Sequence, residues 1–260
     1  MTKRFLTIAA PLLFMIAAVV GCTKSGDGKF TISIDPAIEE VIDSQPLTKA
    51  LKNEQIEAFT VAVEGSEIKG LYSDLSGKEF ALPAGSYMAT AENMTVEAAE
   101  KDYGQARYFG SEPFAITALQ KTKTVTISCS VANCTVSAVL DEAFKEVFDE
   151  SSTTVTVAED AFFSIRPLEI LSRATKKQAW YSSGKSLYVS VTSKKAGATE
   201  QVSYQAASFA TEAGKSYNLT VSMSRTTSGG LTLTVGSSPA TTGDFLSMQS
   251  FTLTPIVEDK

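Results

Sequence analysis

The chain has 260 residues, 43% of them hydrophobic, and a formal net charge of −6 at pH 7. This acidic balance argues against a nucleic-acid partner, because binding to phosphates needs basic patches. The sequence contains no histidine, which excludes the Ser-His-Asp triad, the Cys-His pair and zinc sites built on histidine. We therefore expect a protein that is not an enzyme and that carries no cofactor.

The first 21 residues have the pattern of a secretory signal peptide. Lys3 and Arg4 form a basic start, and an apolar run then continues to Val20. The run is shorter than the about 20 apolar residues that a membrane-spanning helix needs. It ends in the letters VVGC at residues 19–22, which resemble the lipobox of bacterial lipoproteins. This resemblance implies cleavage before Cys22 and acylation of its thiol.

Residues 22–29 are polar and contain glycine, which is typical of a flexible, lipidated tether. Several acyl chains on Cys22 would hold durably, since each buried CH₂ contributes about 0.8 kcal/mol. Without Lys3 and Arg4, 21 basic residues face 29 acidic ones, so the exported part carries a formal charge of −8. We expect a lipid-anchored envelope protein at the outer membrane, with surface display left open. The alternative is an ordinary secreted protein in which Cys22 is incidental.

Alternating apolar and polar residues predict half-buried strands along most of the exported chain. The segments are short and are separated by turns that contain glycine. This pattern favours an all-β fold, an antiparallel β-sandwich. The clearest alternating segments are residues 30–34, 59–63, 125–129, 187–191, 217–223 and 231–235.

One or two short helices are also expected. Asp35 is placed to cap a helix that starts at Pro36 and continues to Ile42. Further on, residues 141–150 place Phe144 and Phe148 four positions apart, on one helical face. Such a stripe favours core packing over a binding groove.

The chain is long enough for two sandwich domains in tandem, which we place at residues 30–131 and 132–260. A weak internal echo supports two similar halves: LPAGSY at 82–87 and EAGKSY at 212–217 both lead into a strand. Near Ala132 the inward-facing positions change from odd to even, which requires a bulge or a passage to a new sheet. A single connected β-body is the alternative.

Cys129 and Cys134 are the only cysteines besides Cys22. On extended chain, residues five apart are separated by roughly 16 Å, which is beyond the reach of a disulfide. We expect buried free thiols, although a tight turn at Ala132-Asn133 would allow a bridge.

Several segments together resemble a known family of Bacteroidales lipoproteins, which is grouped as a domain of unknown function. They are the lipobox, LPAGSY (82–87), YFGSEPFAI (108–116) and TVTISCSVANCTVSAVLDEAFKEVF (124–148). Those proteins are similar in plan to fimbrillin-like surface proteins. The resemblance implies an envelope location, a β-sandwich and no recorded enzyme activity, and it carries over no functional residue. The family often has an apolar residue at the position of Cys134, which implies that no disulfide is essential there.

Two functions remain in view. The first is a structural or adhesive role at the cell surface, with association to a fimbria as one form of it. In this role, open strand edges pair with other surface or fimbrial proteins. The segment 251–254 alternates and is a candidate donor or acceptor strand. The second is glycan binding, for which Trp180 and Tyr181 are the candidate ligand-binding residues, unless Trp180 anchors a core. We expect no metal site, since no calcium-binding loop is present.

Overall fold

The computed structural model describes residues 26–42, 45–50, 52–119, 121–175, 178–205, 208–225, 231–239 and 249–255. The predicted signal peptide, Cys22 and the first residues of the tether lie outside these ranges. Strands dominate the described part of the chain, as the alternation predicts. The expectation of an all-β sandwich is confirmed.

Within the described ranges, each half of the chain holds ten strands, and those of the first half share the short length expected of sandwich strands. They are β1 (Gly28–Ile34), β2 (Ala37–Ile42), β3 (Gln45–Ala50), β4 (Thr60–Val63), β5 (Lys69–Leu71), β6 (Phe80–Leu82), β7 (Gly85–Glu92), β8 (Tyr108–Ile116), β9 (Lys123–Ile127) and β10 (Cys129–Val131). The second half holds ten more: β11 (Asn133–Leu140), β12 (Thr154–Ala158), β13 (Leu168–Leu171), β14 (Ala179–Ser182), β15 (Ser186–Lys194), β16 (Gln201–Gln205), β17 (Phe209–Ala210), β18 (Ser216–Arg225), β19 (Leu231–Pro239) and β20 (Gln249–Pro255).

The described helices are all short. They are α1 (Asn53–Glu57), α2 (Tyr72–Leu75), α3 (Val96–Ala99), α4 (Glu142–Lys145) and a 3-10 turn, Glu150–Ser152. Asp141 caps α4, since its carboxylate accepts a hydrogen bond from the backbone N–H of Phe144 at 2.8 Å. Phe144 and Phe148 are both buried, with ring centroids 4.9 Å apart, so the predicted core packing is confirmed.

The helix expected after Asp35 is wrong. Residues 37–42 instead form β2, which pairs antiparallel with β3 along its whole length. Ile38, Val41 and Ile42 are β-branched, and such residues favour extended backbone. The hairpin satisfies backbone groups that an isolated six-residue helix would leave mostly unpaired.

The two halves repeat one strand order. In the first half, one sheet runs β6-β1-β9 and the other runs β10-β8-β7-β4-β5. In the second half, the same positions are taken by β14-β11-β18 and by β20-β16-β15-β12-β13, with β19 joining β18 to β20. Two of the described pairings are parallel, β1 with β9 and β11 with β18, and they occupy equivalent places. The order therefore supports two similar sandwiches in tandem.

The sequence echo does not mark equivalent strands. LPAGSY leads into β7, whereas EAGKSY leads into β18. By position in the sheets, the strand that corresponds to β7 is β15, which follows the turn at Gly184. The strand order is repeated in the two halves, but the two similar sequence segments do not occupy equivalent positions in that repeat.

Buried side chains form two hydrophobic clusters, which divide where the sequence predicts a join. The first cluster draws on residues 30–131 and the second on residues 134–223. Val131 is the last odd-numbered inward residue, and the even-numbered series starts with Cys134, so the shift of phase lies at β10 and β11. The clusters support the division at residues 131 and 132, and the domain boundaries themselves stay a prediction.

Candidate functional site

Strand β14 carries both residues that the sequence singles out for ligand binding. Tyr181 points into the second cluster and is 0% exposed. Its hydroxyl donates to the carbonyl oxygen of Val157 at 3.1 Å, and burial raises its pKa. A sugar stacks on an exposed ring face, so the burial of Tyr181 counts against a role in glycan binding.

Trp180 lies on the opposite face of β14, because successive side chains of a strand alternate. It is half-buried and packs against the first cluster, although it belongs to the second half of the chain. Its backbone N–H donates to the carbonyl oxygen of Tyr103 at 2.8 Å. Trp180 therefore contributes to the junction between the two halves, and a ligand-binding role for it stays a prediction.

Tyr103 makes the reciprocal contact. It follows α3 in the first half, yet it packs against the second cluster, with its ring centroid 5.1 Å from that of Tyr181. Its hydroxyl donates to the carbonyl oxygen of Arg166 at 3.0 Å, and the Arg166 guanidinium lies 4.8 Å above its ring. Burial raises the pKa of Tyr103. Each half thus inserts an aromatic residue into the core of the other.

Four charged side chains surround these aromatics with alternating sign. The Lys185 ammonium lies 2.7 Å from a carboxylate oxygen of Glu100 and 2.7 Å from one of Glu159. Arg166 pairs with Glu159 and lies 3.9 Å from Glu100. Glu159 is 7% exposed, so this ion pair is largely removed from water.

The network shifts the pKa of two of its members in the direction that keeps them charged. The hydrogen bond from Lys185 lowers the pKa of Glu100, in spite of partial burial. Burial by itself would lower the pKa of Lys185, but the hydrogen bonds to Glu100 and Glu159 outweigh it and raise the pKa. Since Glu100 comes from the first half and its partners come from the second, the ion pairs hold the halves together.

Asn133, the first residue of β11, fixes the connection between the halves. It is 3% exposed. Its side-chain amide donates to the carbonyl oxygen of Gln105 at 3.2 Å and accepts from the N–H of Arg107 at 3.0 Å. Next to it, the carbonyl oxygen of Ala132 accepts from the hydroxyl of Ser183 at 2.8 Å. The link between the halves is therefore hydrogen-bonded on both sides.

Both described cysteines are free and buried, which confirms the expectation of unpaired thiols. Cys129 belongs to the first cluster and Cys134 to the second. Burial raises the pKa of each thiol to about 12. Because the thiolate is the nucleophile, neither cysteine is activated for chemistry.

In the adjacent carboxylate pairs Asp141-Glu142 and Glu159-Asp160, the two members bond to different partners. Asp141 caps α4, whereas Glu142 pairs with Lys145 at 3.0 Å. Glu159 belongs to the junction network, whereas Asp160 accepts hydrogen bonds within its own loop, including 2.7 Å from the N–H of Ile165. Among the described residues, no group of three or more acidic or cysteine side chains is arranged to hold a metal ion.

Two open clefts lie on the described surface. One, of about 670 Å³, lies at the end of the second sandwich and has a mixed charged and apolar lining: Val139, Leu140, Lys145, Asp149, Glu150, Ser151, Leu171, Ser172 and Arg173. The other, of about 500 Å³, lies beside α1 and α3: Gln55, Ala58, Phe59, Asn93, Met94, Ala98, Asp102, Gln105 and Tyr108. Neither cleft contains Trp180 or Tyr181.

A family model described as Domain of unknown function (DUF4493) matches residues 26–244. The chain belongs to this family. The match includes both halves and the junction between them. The predicted relationship to this Bacteroidales family is confirmed. None of the curated proteins matches this DUF4493 chain.

Solved structures with which the DUF4493 protein aligns have low sequence identity. A candidate adhesin from Bacteroides ovatus is 12% identical, with 82% of this chain and 92% of that chain covered and a TM-score of 0.42. A fimbrial assembly protein from Parabacteroides distasonis is 11% identical, with coverages of 81% and 96% and a TM-score of 0.44. A candidate polysaccharide-binding protein from Bacteroides thetaiotaomicron is 10% identical, with coverages of 81% and 95% and a TM-score of 0.41.

Within the ranges that the structure describes, the helices of the DUF4493 protein are too short to cross a bilayer. The junction residues Glu100, Tyr103, Arg166 and Lys185 were not found from the sequence. They come from separate segments and carry no local motif, so only the fold brings them together.

Proposed function

We propose that this protein is a lipid-anchored component of the bacterial envelope with a structural or adhesive role. The acyl-modified Cys22 would hold it at the outer membrane, and open strand edges would pair with other surface or fimbrial proteins. The observation that carries the pairing step is the 670 Å³ cleft between β11 and β13.

Two strand edges face this cleft. Strand β14 pairs with β11 only at residues 133–136, whereas β18 pairs with the other side of β11 at residues 135–140. Among the described strands, none pairs with residues 137–140 of β11 on the β14 side. Strand β13 pairs with β12 and with no other described strand, and Leu171 at its end lines the cleft. Unpaired edges of this kind accept an added strand through main-chain hydrogen bonds.

The side chains at the cleft suit a strand that carries apolar residues. Leu140 and Leu171 form a largely buried floor, and Val139 is 42% exposed above it. Lys145 and Arg173 lie at the margin together with Asp149 and Glu150, so charges of both signs surround an apolar centre. An apolar centre with a polar rim is the usual composition of a protein–protein interface.

The C-terminal segment is not the open edge that the sequence suggested. Its strand, β20, pairs with β19 through residues 249–253 and with β16 through residues 254 and 255. It is therefore an internal strand of the second sandwich. The proposed acceptor is the β11–β13 cleft instead.

The stacking of the halves supports an adhesive role. Strand β8 starts at Tyr108, close to the junction, and ends at Ile116, which pairs with Gly85 at the opposite end of the sandwich. Nine residues of strand separate these ends by about 26 Å. Gly28, near the end of the predicted tether, pairs with Leu82 at the end far from the junction. The second sandwich would thus be held away from the anchored end.

A charge placed at the cleft tests the proposal. In cells, Val139→Glu should reduce adhesion and the assembly of fimbriae, because a carboxylate at the cleft disfavours a docked apolar strand. Val96→Glu is the matched control, since Val96 is 43% exposed but lies on α3, far from this cleft. A photo-crosslinker at position 139, but not at 96, should link to an envelope protein. Unchanged adhesion and fimbriae together with no adduct at 139 would contradict the role.

Glycan binding has less support, because Tyr181 is enclosed and Trp180 is engaged at the junction. A glycan array probed with the wild-type protein and with Trp180→Ala measures it directly. Binding by wild type that is lost in the variant would restore this alternative. The absence of wild-type binding would remove it.

A further inference from the structure

The loop between β8 and β9 presents a large apolar side chain beside the start of the described chain. Leu119 is 81% exposed. Its N–H donates to the carbonyl oxygen of Gly26 at 3.3 Å, and a Cβ placed on Gly26 would lie 2.4 Å from Leu119 Cδ2. Leu119 also has a φ of 58°, a left-handed conformation that is uncommon for leucine. The leucine is thus held directly over Gly26, within the predicted tether.

The length of the tether limits how far this leucine can lie from a lipidated Cys22. Gly26 is four positions after Cys22, and extended chain spans at most about 3.6 Å per position, or about 14 Å in total. An acylated Cys22 would therefore keep Leu119 near the headgroups of the bilayer. A globular domain tethered so closely presents one end to the membrane, and Leu119 is at that end.

Basic side chains flank Leu119. Lys121 and Lys123 follow it on the exposed side, and Lys123 pairs in register with Phe30 of β1. Lys29, on the neighbouring strand, is 57% exposed and forms an ion pair with Glu79 at 2.6 Å. The same surface segments carry two exposed carboxylates, Asp27 and Glu79, beside these three lysines, whereas the exported chain as a whole has 21 basic and 29 acidic residues. Lipid phosphates attract such a local excess of positive charge.

We propose that Leu119, Lys29, Lys121 and Lys123 form a bilayer-contact surface. Leu119 enters the boundary between headgroups and acyl chains, and the lysines bind lipid phosphates. The surface rests on the proposed lipid anchor at Cys22, and it goes further by fixing the orientation of the protein. With this end against the lipid, β8 leads away from the membrane and the second sandwich stands above the first.

Fluorescence quenching in vesicles tests the surface. The full lipidated protein is placed in vesicles of phosphatidylethanolamine with a minority of phosphatidylglycerol. Some of the acyl chains in these vesicles carry bromine, which quenches tryptophan fluorescence. The native protein, whose sole tryptophan is Trp180, supplies the baseline. Leu119→Trp should lose most of its added emission to the brominated lipid. Phe162→Trp is the matched control, since Phe162 is 88% exposed near the junction and should keep its emission.

The contribution of charge is measured in the same assay. The double substitution Lys121→Glu and Lys123→Glu reverses two charges, and it should weaken the quenching of Leu119→Trp. In the Leu119→Trp protein that keeps both lysines, added salt should also weaken the quenching, because screening shortens the range of the electrostatic attraction. Lys69→Glu, an exposed lysine on β5, should leave the quenching unchanged. Equal quenching after reversal at 121 and 123 would contradict the role of the lysines.

Flotation separates this inference from the proposed function. If the protein floats with the vesicles but Leu119→Trp is quenched no more than Phe162→Trp, the contact surface is wrong and the anchor stands. If the protein does not float, the anchor itself is wrong, and the surface with it. A photo-crosslinker at position 119 that captures a protein instead of lipid in native membranes would also overturn the surface.

Discussion

Glu159 is the residue on which the junction network depends most. It is 7% exposed, and its two carboxylate oxygens bind different cations, Arg166 and Lys185. A buried ion pair is not a strong source of stability in itself, but removal of one partner leaves the others without compensation. Arg166 and Lys185 would then share the single carboxylate of Glu100 beside Tyr103.

We predict that Glu159→Gln lowers the free energy of unfolding by about 2 kcal/mol, because the amide keeps the shape of the side chain but removes its charge. Glu57→Gln, at an exposed position on α1, should change it by less than about 0.5 kcal/mol. Urea denaturation of the two variants and the wild type measures the difference. Equal midpoints for all three would show that the network contributes no stability.

At the scale of single residues, the sequence predicts which side chains are buried better than it predicts which side chains pair with each other. The free, buried state of Cys129 and Cys134 follows from alternation and spacing, and the structure confirms it. The pairing of Glu100 with Lys185 does not follow, because 85 residues separate them and no local pattern marks either one. The aromatic ring of Tyr181 makes it a candidate for ligand binding, but the fold decides that its face of β14 points into the core.

At the scale of the elements, Gly110 allows strands β8 and β10 to approach each other closely. It pairs with Cys129 where β8 meets β10. A Cβ at this position would lie 2.4 Å from the carbonyl oxygen of Ser128 and 2.9 Å from Cys129 Sγ. Because backbone cannot move away as a flexible side chain can, only glycine allows the two strands to approach here.

We expect Gly110→Ala to lower the free energy of unfolding by about 2 kcal/mol through overpacking. Gly70→Ala on β5 is the control, since its Cβ would meet only Leu75 at an ordinary 3.8 Å. Thermal unfolding followed by circular dichroism compares the two variants. A melting temperature for Gly110→Ala equal to that of Gly70→Ala would contradict the close approach.

Strands could be predicted from the sequence because a half-buried strand alternates at period two, as residues 187–191 do. The hairpin β2–β3 could not, because the apolar spacing of residues 37–42 also fits one turn of helix. Tertiary pairing decides between the two. Similarly, the echo of LPAGSY with EAGKSY reflects shared turn chemistry, and the strand order needed to align the halves lies in long-range pairing.

At the scale of the whole molecule, the described residues form two halves with the same strand order, and reciprocal contacts join them. Trp180 reaches into the first core, Tyr103 into the second, and Asn133 fixes the chain between them. Since the cores are separate clusters, we expect these contacts to couple the unfolding of the two halves. The tandem arrangement follows from chain length and the shift of phase at Ala132, but the contacts between the halves do not.

We predict that Trp180→Ala divides a single calorimetric unfolding transition into two, because the coupling of the halves is lost with its ring. The loss should be about 2 kcal/mol, less than for a fully buried tryptophan. Phe162→Ala, which removes an exposed ring, should retain the single transition. A single, merely shifted transition for Trp180→Ala would mean that other contacts couple the halves.

The proposed lipid anchor at Cys22 would determine how the protein is presented at the membrane, and metabolic labelling tests this anchor most directly. Cells are given an alkyne-bearing fatty acid, and the protein is then isolated from the membrane and soluble fractions. The wild-type protein, Cys129→Ser and Cys134→Ser should all be labelled and should sediment with membranes, whereas Cys22→Ser should be unlabelled. A Cys22→Ser variant that is labelled and sediments with membranes like the wild type would contradict the account.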